Sequence, residues 1–139
     1  MLTLKDILLK TNDDSVHLLI TDIQIEEDQK LNNTVFKIHI KNHMFDVVSE
    51  TLSMHSKHLI KFLHELSDVY FNQQGETSIE SLEGNLEVKF KYTYGGFIGV
   101  TGFLSEMIGE NKITFDYALD QTCFKEIKTY LKETVLLIK

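Results

Sequence analysis

The sequence contains no arginine, no proline and a single cysteine among its 139 residues. Without arginine there is no guanidinium to clamp a phosphate through two parallel hydrogen bonds, which disfavours phosphate chemistry from the outset. All 14 positive side chains are lysines, set against 21 carboxylates, for a formal net charge of −7. A nucleic-acid binder needs a basic surface that displaces counterions from phosphates, so this balance argues against one. Cys123 has no partner for an internal disulfide, which suits a reducing compartment. No apolar run approaches the roughly 18–20 residues of a membrane helix. Residues 1–10 hold Leu2, Leu4, Ile7, Leu8 and Leu9, but Lys5 and Asp6 break the run before it forms the apolar core of a signal peptide. The expectation is a soluble, cytoplasmic protein with no membrane partner. No Pro/Gly/Ser-rich linker, low-complexity tract or internal repeat interrupts the chain, so a single domain is expected over residues 1–139. Hydrophobic and charged fractions of 42% and 25% are ordinary for a folded domain and exclude a disordered one.

Hydrophobic periodicity supplies the elements. Val16 to Ile25 reads as a strand, with Thr21, Ile23 and Ile25 on one side and Ile20 and Asp22 on the other. After a polar stretch from Glu26 to Asn33, Val35 to Ile40 alternates again, Phe36, Ile38 and Ile40 inward. Phe45 to Val48 adds a short extension or third strand. From Ser56 to about Phe71, Leu59, Phe62, Leu63, Leu66, Val69 and Tyr70 recur at helical spacing and mark a core-facing stripe. Ser53 or Ser56 is the expected cap, and Asn72 to Gly75 the stop. The period returns to two from Thr77: Leu86, Val88, Phe90 and Tyr92 form a strand, Gly95-Gly96 a hairpin turn, and Phe97 to Leu104 a central strand. Ile113, Phe115 and Tyr117 make the last strand, and Phe124, Ile127, Leu131 and Val135 the face of a closing helix meant to pack on the meander. The predicted class is α+β: an antiparallel sheet of about six strands packed by two helices.

Few motifs carry chemistry. His55 and His58 lie one helical turn apart, but His64 is off their face and Cys123 remote, so no metal site is expected. Gly96-Phe-Ile-Gly99 and Gly99-Val-Thr-Gly102 have GxxG spacing, yet they fall inside a predicted strand, where glycine marks a bulge or a close backbone approach. Phosphate loops, zinc-protease helices, paired-cysteine motifs and nucleophile elbows are all missing from the sequence. Glu80, Glu83 and Asp116 are carboxylates that can meet in space, but surface carboxylates do so by chance in any acidic protein. The expectation is a protein without catalysis or cofactor.

The acid is clustered: residues 1–30 and 75–110 each carry a net −4. Such clusters serve solubility as a solvated face, or else form a docking surface for a cationic protein. From the first helix onward four features stand out together: the Phe62-Leu63-x-x-Leu66 helix face, Ser81-Leu82-Glu83-Gly84-Asn85-Leu86 opening a strand, the Tyr94-Gly95-Gly96-Phe97-Ile98-Gly99-Val100 hairpin and the Asp120 to Leu131 closing helix. In these the chain resembles the WapI-type immunity proteins of bacterial wall-associated polymorphic toxins. The resemblance implies a non-enzymatic inhibitor that binds a nuclease-like toxin domain. A nuclease must be basic to hold nucleic acid, which makes a basic protein toxin domain the expected partner of an acidic inhibitor. The contact residues expected are Glu26, Glu27 and Asp28, which close a strand at a loop, and Glu80 and Glu83, which flank the Ser81-Leu82 step. Another non-enzymatic interaction domain or a small-ligand-binding protein are the alternatives.

Overall fold

A computed structural model describes residues 2–10, 16–26, 33–120, 128–130 and 132–133. Among them, ten strands form two antiparallel sheets instead of the single sheet expected. Sheet A holds β1 (Leu2–Thr3), β2 (Ile7–Lys10), β3 (His17–Ile25), β4 (Asn33–Lys41), β5 (Asp46–Val48) and β6 (Leu52–His55). β3 and β4 form its centre; β1 and β2 share the outer edge of β3, β5 and β6 that of β4. The helix α1 (Ser56–Phe71) then crosses to sheet B, a meander in the order β10-β9-β8-β7, from β7 (Glu76–Glu80), β8 (Leu86–Tyr92), β9 (Ile98–Ser105) and β10 (Lys112–Leu119). The α+β class stands. The strand number was underestimated because β1, β2, β6 and β7 are at most five residues long and too short to display a period.

The strict alternation expected in β3 is broken by one residue. Asp22 has φ 52°, a left-handed conformation that a short polar side chain tolerates better than most, and the β3–β4 register slips there between Thr21 and Gln24. Leu18 and Ile20 before the bulge and Ile23 and Ile25 after it therefore face the same core, and Ile20 does not share a side with Asp22. A second slip separates β5 from β6 along β4. Ser49 fills the gap: its N–H donates to the Ile38 carbonyl at 2.8 Å, and its hydroxyl accepts the Ile38 N–H at 2.9 Å in place of a backbone carbonyl.

Helix α1 buries the expected stripe, Leu59, Phe62, Leu63, Leu66, Val69 and Tyr70. It touches β4 and β6 of sheet A and β7 and β8 of sheet B, so one apolar cluster spans both sheets. Phe62 meets Phe90 of β8 with ring centroids 5.6 Å apart. The cap differs from expectation. His55 occupies the N-cap without a side-chain bond, while the Ser56 hydroxyl is buried and pairs with Thr34 of β4 at 2.9 Å. Burial of the first turn against the sheet supplies a partner there that solvent would otherwise provide. At the other end the Asn72 N–H donates to Asp68, and Gln73 and Gly75 turn the chain through positive φ.

Residues 128–130 and 132–133 are helical and form the described part of α2. Tyr130 donates to the Lys5 carbonyl at 2.8 Å, and Glu133 pairs with the Lys5 ammonium at 3.3 Å, both at the link between β1 and β2. Phe124, Ile127, Leu131 and Val135, the expected face of this helix, lie outside the described residues.

The glycines of β9 separate into two cases. A Cβ on Gly102 would sit 1.9 Å from the Glu87 carbonyl oxygen and 3.0 Å from Val88 Cα, so β8 and β9 close only over a bare Cα; Gly99 has ordinary room. Gly102→Ala should therefore push the strands apart and cost about 1–3 kcal/mol, whereas Gly99→Ala should cost far less. Urea melts of the two variants check this, and equal midpoints would show that the strands give way freely.

A candidate protein-binding surface at one end of the sheets

The turn between β7 and β8 joins the two sheets. Ser81 and Asn85 are buried. The Ser81 hydroxyl donates to Asn85 Oδ1 at 2.8 Å and accepts the Asn85 and Leu86 N–H groups at 3.2 and 3.0 Å. Gly84, at φ 80°, turns the chain between them. Asn85 then reaches β9, exchanging bonds with the Ser105 main chain in both directions at 2.8 and 3.2 Å. On its other side the turn reaches sheet A. The Leu82 N–H donates to the Ser53 carbonyl of β6 at 2.8 Å, and the Glu83 carboxylate accepts the Ser53 hydroxyl at 2.7 Å and its N–H at 3.3 Å.

The β9–β10 loop completes the same end. Glu106 and Asn111 close it through a main-chain bond at 3.0 Å and an Asn111 amide donated to Glu106 Oε1 at 3.0 Å. The Met107 N–H donates to Glu50 Oε2 at 3.2 Å, tying the loop to the link between β5 and β6. Residues 50–53, 82–85 and 105–107 thus form a closed ring of chain and hydrogen bonds. It presents Leu82 at 50% exposure, Met107 at 46% and Ile108 at 93%.

Of the expected contact residues, Glu80 and Glu83 stand on this end. Glu80 is exposed and in register with Glu87, two like charges directly opposed across β7 and β8. Lys89 offsets part of that repulsion, 3.4 Å from Glu87. Glu26 lies elsewhere, half-buried at the end of β3, where its N–H donates to the Asn33 carbonyl at 2.9 Å. Glu27 and Asp28 lie outside the described residues.

The histidines are placed differently. His55 is exposed at the start of α1. His58 lines a cleft of about 210 Å³ between α1 and β7, with Lys61, Glu65, Glu76 and Lys89, and its Nε2 is buried with no partner among the described residues. On sheet A, His17 Nε2 approaches His39 Nδ1 at 3.3 Å, and His39 Nε2 meets the Asp46 carboxylate. That hydrogen bond holds the Asp46 carboxyl below the usual carboxylate range. Among the described residues no three His, Cys, Asp or Glu side chains are grouped as metal ligands, and no helix is long and apolar enough to cross a membrane.

The family model of the Immunity protein WapI-like family matches residues 7–137 of the chain. The chain belongs to this family. Searches of curated proteins and of solved structures found no match. In this WapI-like fold the Ser81 to Leu86 segment, one of those that carried the resemblance, is the joint between the sheets, with Ser81, Asn85 and Leu86 buried. Sequence reasoning missed Glu50 and Glu106, whose placement depends on tertiary closure. It also missed Met107-Ile108, although two apolar residues beside Gly109-Glu110-Asn111, a turn sequence, are a visible signal of an apolar surface patch.

Ser81→Ala leaves the buried Asn85 and Leu86 N–H groups and Asn85 Oδ1 without their shared partner. It should cost about 1–3 kcal/mol in chemical denaturation, the range for an orphaned buried polar group. An unchanged midpoint would mean that the turn is not a joint. For Asp46, a carboxyl whose folded-state pKa is depressed adds stability above its unfolded pKa and loses it as pH falls through the folded pKa. The stability gap between wild type and Asp46→Asn should therefore close on acidification, as followed by melts across the acid range. A pH-independent gap would show that the His39 contact does not favour the charged carboxylate.

Proposed function

We propose that the protein is the immunity partner of a toxin, binding a basic, nuclease-type toxin domain in the cytoplasm and blocking it without catalysing a reaction. Membership of the WapI-like family over residues 7–137 carries this reading. The net charge of −7 and the carboxylates gathered at the β7–β8 turn support it, because a nuclease that holds nucleic acid presents a cationic cleft. Opposed surfaces of this kind steer diffusional encounter and disfavour partners of like charge.

In this reading Glu80 and Glu83, with Glu26, Glu27 and Asp28 at the β3–β4 connection, contribute negative potential to association. Co-expression with the toxin domain encoded in the neighbouring gene should restore growth. Neutralising all five carboxylates to Gln or Asn should slow association about tenfold or more at low salt and flatten its ionic-strength dependence, as expected of steering charges. Full protection with unchanged on-rates and salt dependence would return these carboxylates to the role of a solvated surface.

A further inference from the structure

We propose that the partner docks on the ring of residues 50–53, 82–85 and 105–107 together with the adjoining loop residues 108–111, with Leu82, Met107 and Ile108 as the apolar anchors and Glu50, Glu83, Glu106 and Glu110 as the rim. The inference rests on the toxin-binding reading and names the surface that performs it. Three observations lead there. Leu82 is half-exposed in the β7–β8 turn, and Met107 and Ile108 follow one another in the β9–β10 loop at 46% and 93% exposure. These apolar groups come from two loops that hydrogen bonds hold in one ring, which sets them apart from isolated surface hydrophobics. The patch is also held in place before any partner arrives. Two Glu106–Asn111 bonds close the β9–β10 loop, and Met107 is tied to Glu50 through its N–H. A fixed loop loses little entropy on docking.

The third observation is how the rim charges are held. Glu83 takes its bonds from the Ser53 hydroxyl and N–H, Glu50 from the Met107 N–H and Glu106 from the Asn111 amide, all neutral donors. A neutral donor positions a carboxylate without cancelling its charge, whereas a lysine would do both. The lysine–carboxylate pairs Lys5–Glu133, Lys37–Asp22, Lys61–Glu65 and Lys89–Glu87 involve none of these rim carboxylates. Residues 48–53, 80–85 and 105–111 contain Glu50, Glu80, Glu83, Glu106 and Glu110 and no lysine. A second copy of the chain would set these charges against themselves. The occupant that fits is a cationic protein surface bearing an apolar pocket. Tyr94, 92% exposed at the far end of the β8–β9 hairpin, lacks such a rim, since residues 92–98 contain no carboxylate.

The test measures binding of the toxin domain encoded in the neighbouring gene to the full chain and to four variants. Ile108→Ala and Leu82→Ala should each weaken binding about tenfold or more, through faster dissociation, as expected of buried anchors. Glu83→Gln should slow association at low salt, and Tyr94→Ala should match wild type. Urea midpoints close to wild type confirm that each variant is folded. Wild-type binding with both Ala variants within about twofold overturns this surface but leaves the toxin-binding reading standing. Failure of the wild-type chain to bind or protect against the neighbouring toxin domain overturns that reading and this inference with it. A dimer in sedimentation that dissociates with Ile108→Ala would show that the patch belongs to a second copy.

Discussion

The turn from Ser81 to Asn85 fixes one sheet against the other. The apolar cluster that runs through both sheets and α1 drives their association, but burial of apolar area is non-directional and tolerates sliding and rotation. Hydrogen bonds are directional, and the five residues from Ser81 to Asn85 point theirs three ways at once: into the turn itself, to Ser105 of sheet B and to Ser53 of sheet A. Burying a serine and an asparagine is unfavourable unless their polar atoms are paired. The turn therefore has a narrow range of positions in which those atoms remain paired, and the rest of the architecture is built around it. Helix α1, which touches both sheets, adds bulk at a place already set.

What the sequence made legible follows from where local physics decides the outcome. The α1 stripe was readable residue by residue because one face of a long helix meets the core, and helical spacing displays that face without ambiguity. β8 was equally plain. β3 was not, because a single left-handed residue, Asp22, inverts the phase of everything after it, and no periodicity rule reveals a one-residue slip. β6 was hidden by its length of four residues and by the one-residue slip at Ser49 that separates it from β5 along β4. The division into two sheets depends on where the chain crosses along α1, a tertiary property that propensity does not encode.

The candidate surface was legible in the same partial way. Glu80 and Glu83 were found because the turn between two strands is recognisable and lies at the surface. Glu50 and Glu106 were not, since Glu50 reaches the β9–β10 loop only through its bond to Met107, 57 positions away, which the folding of both sheets creates. Ser53 was read as a helix cap. Its actual role, holding Glu83 through hydroxyl and N–H, required a neighbour 30 residues away.

The acidic end carries an internal conflict that clarifies what it is for. Stability alone would favour a lysine among these carboxylates, since like charges opposed across strands, as at Glu80 and Glu87, are unfavourable. Residues 48–53, 80–85 and 105–111 supply none, and the loops are held by serine, asparagine and main-chain donors instead. Such donors stabilise the carboxylates locally while leaving the field outside the molecule intact, and self-repulsion that remains in the free protein is relieved when a cationic surface arrives. Relief of that repulsion adds to affinity only for a partner of opposite sign and works against every acidic one. In the proposed reading the arrangement exchanges a little stability of the free chain for selectivity toward a cationic partner, and the neutral donors that hold Glu50, Glu83 and Glu106 keep that charge in place.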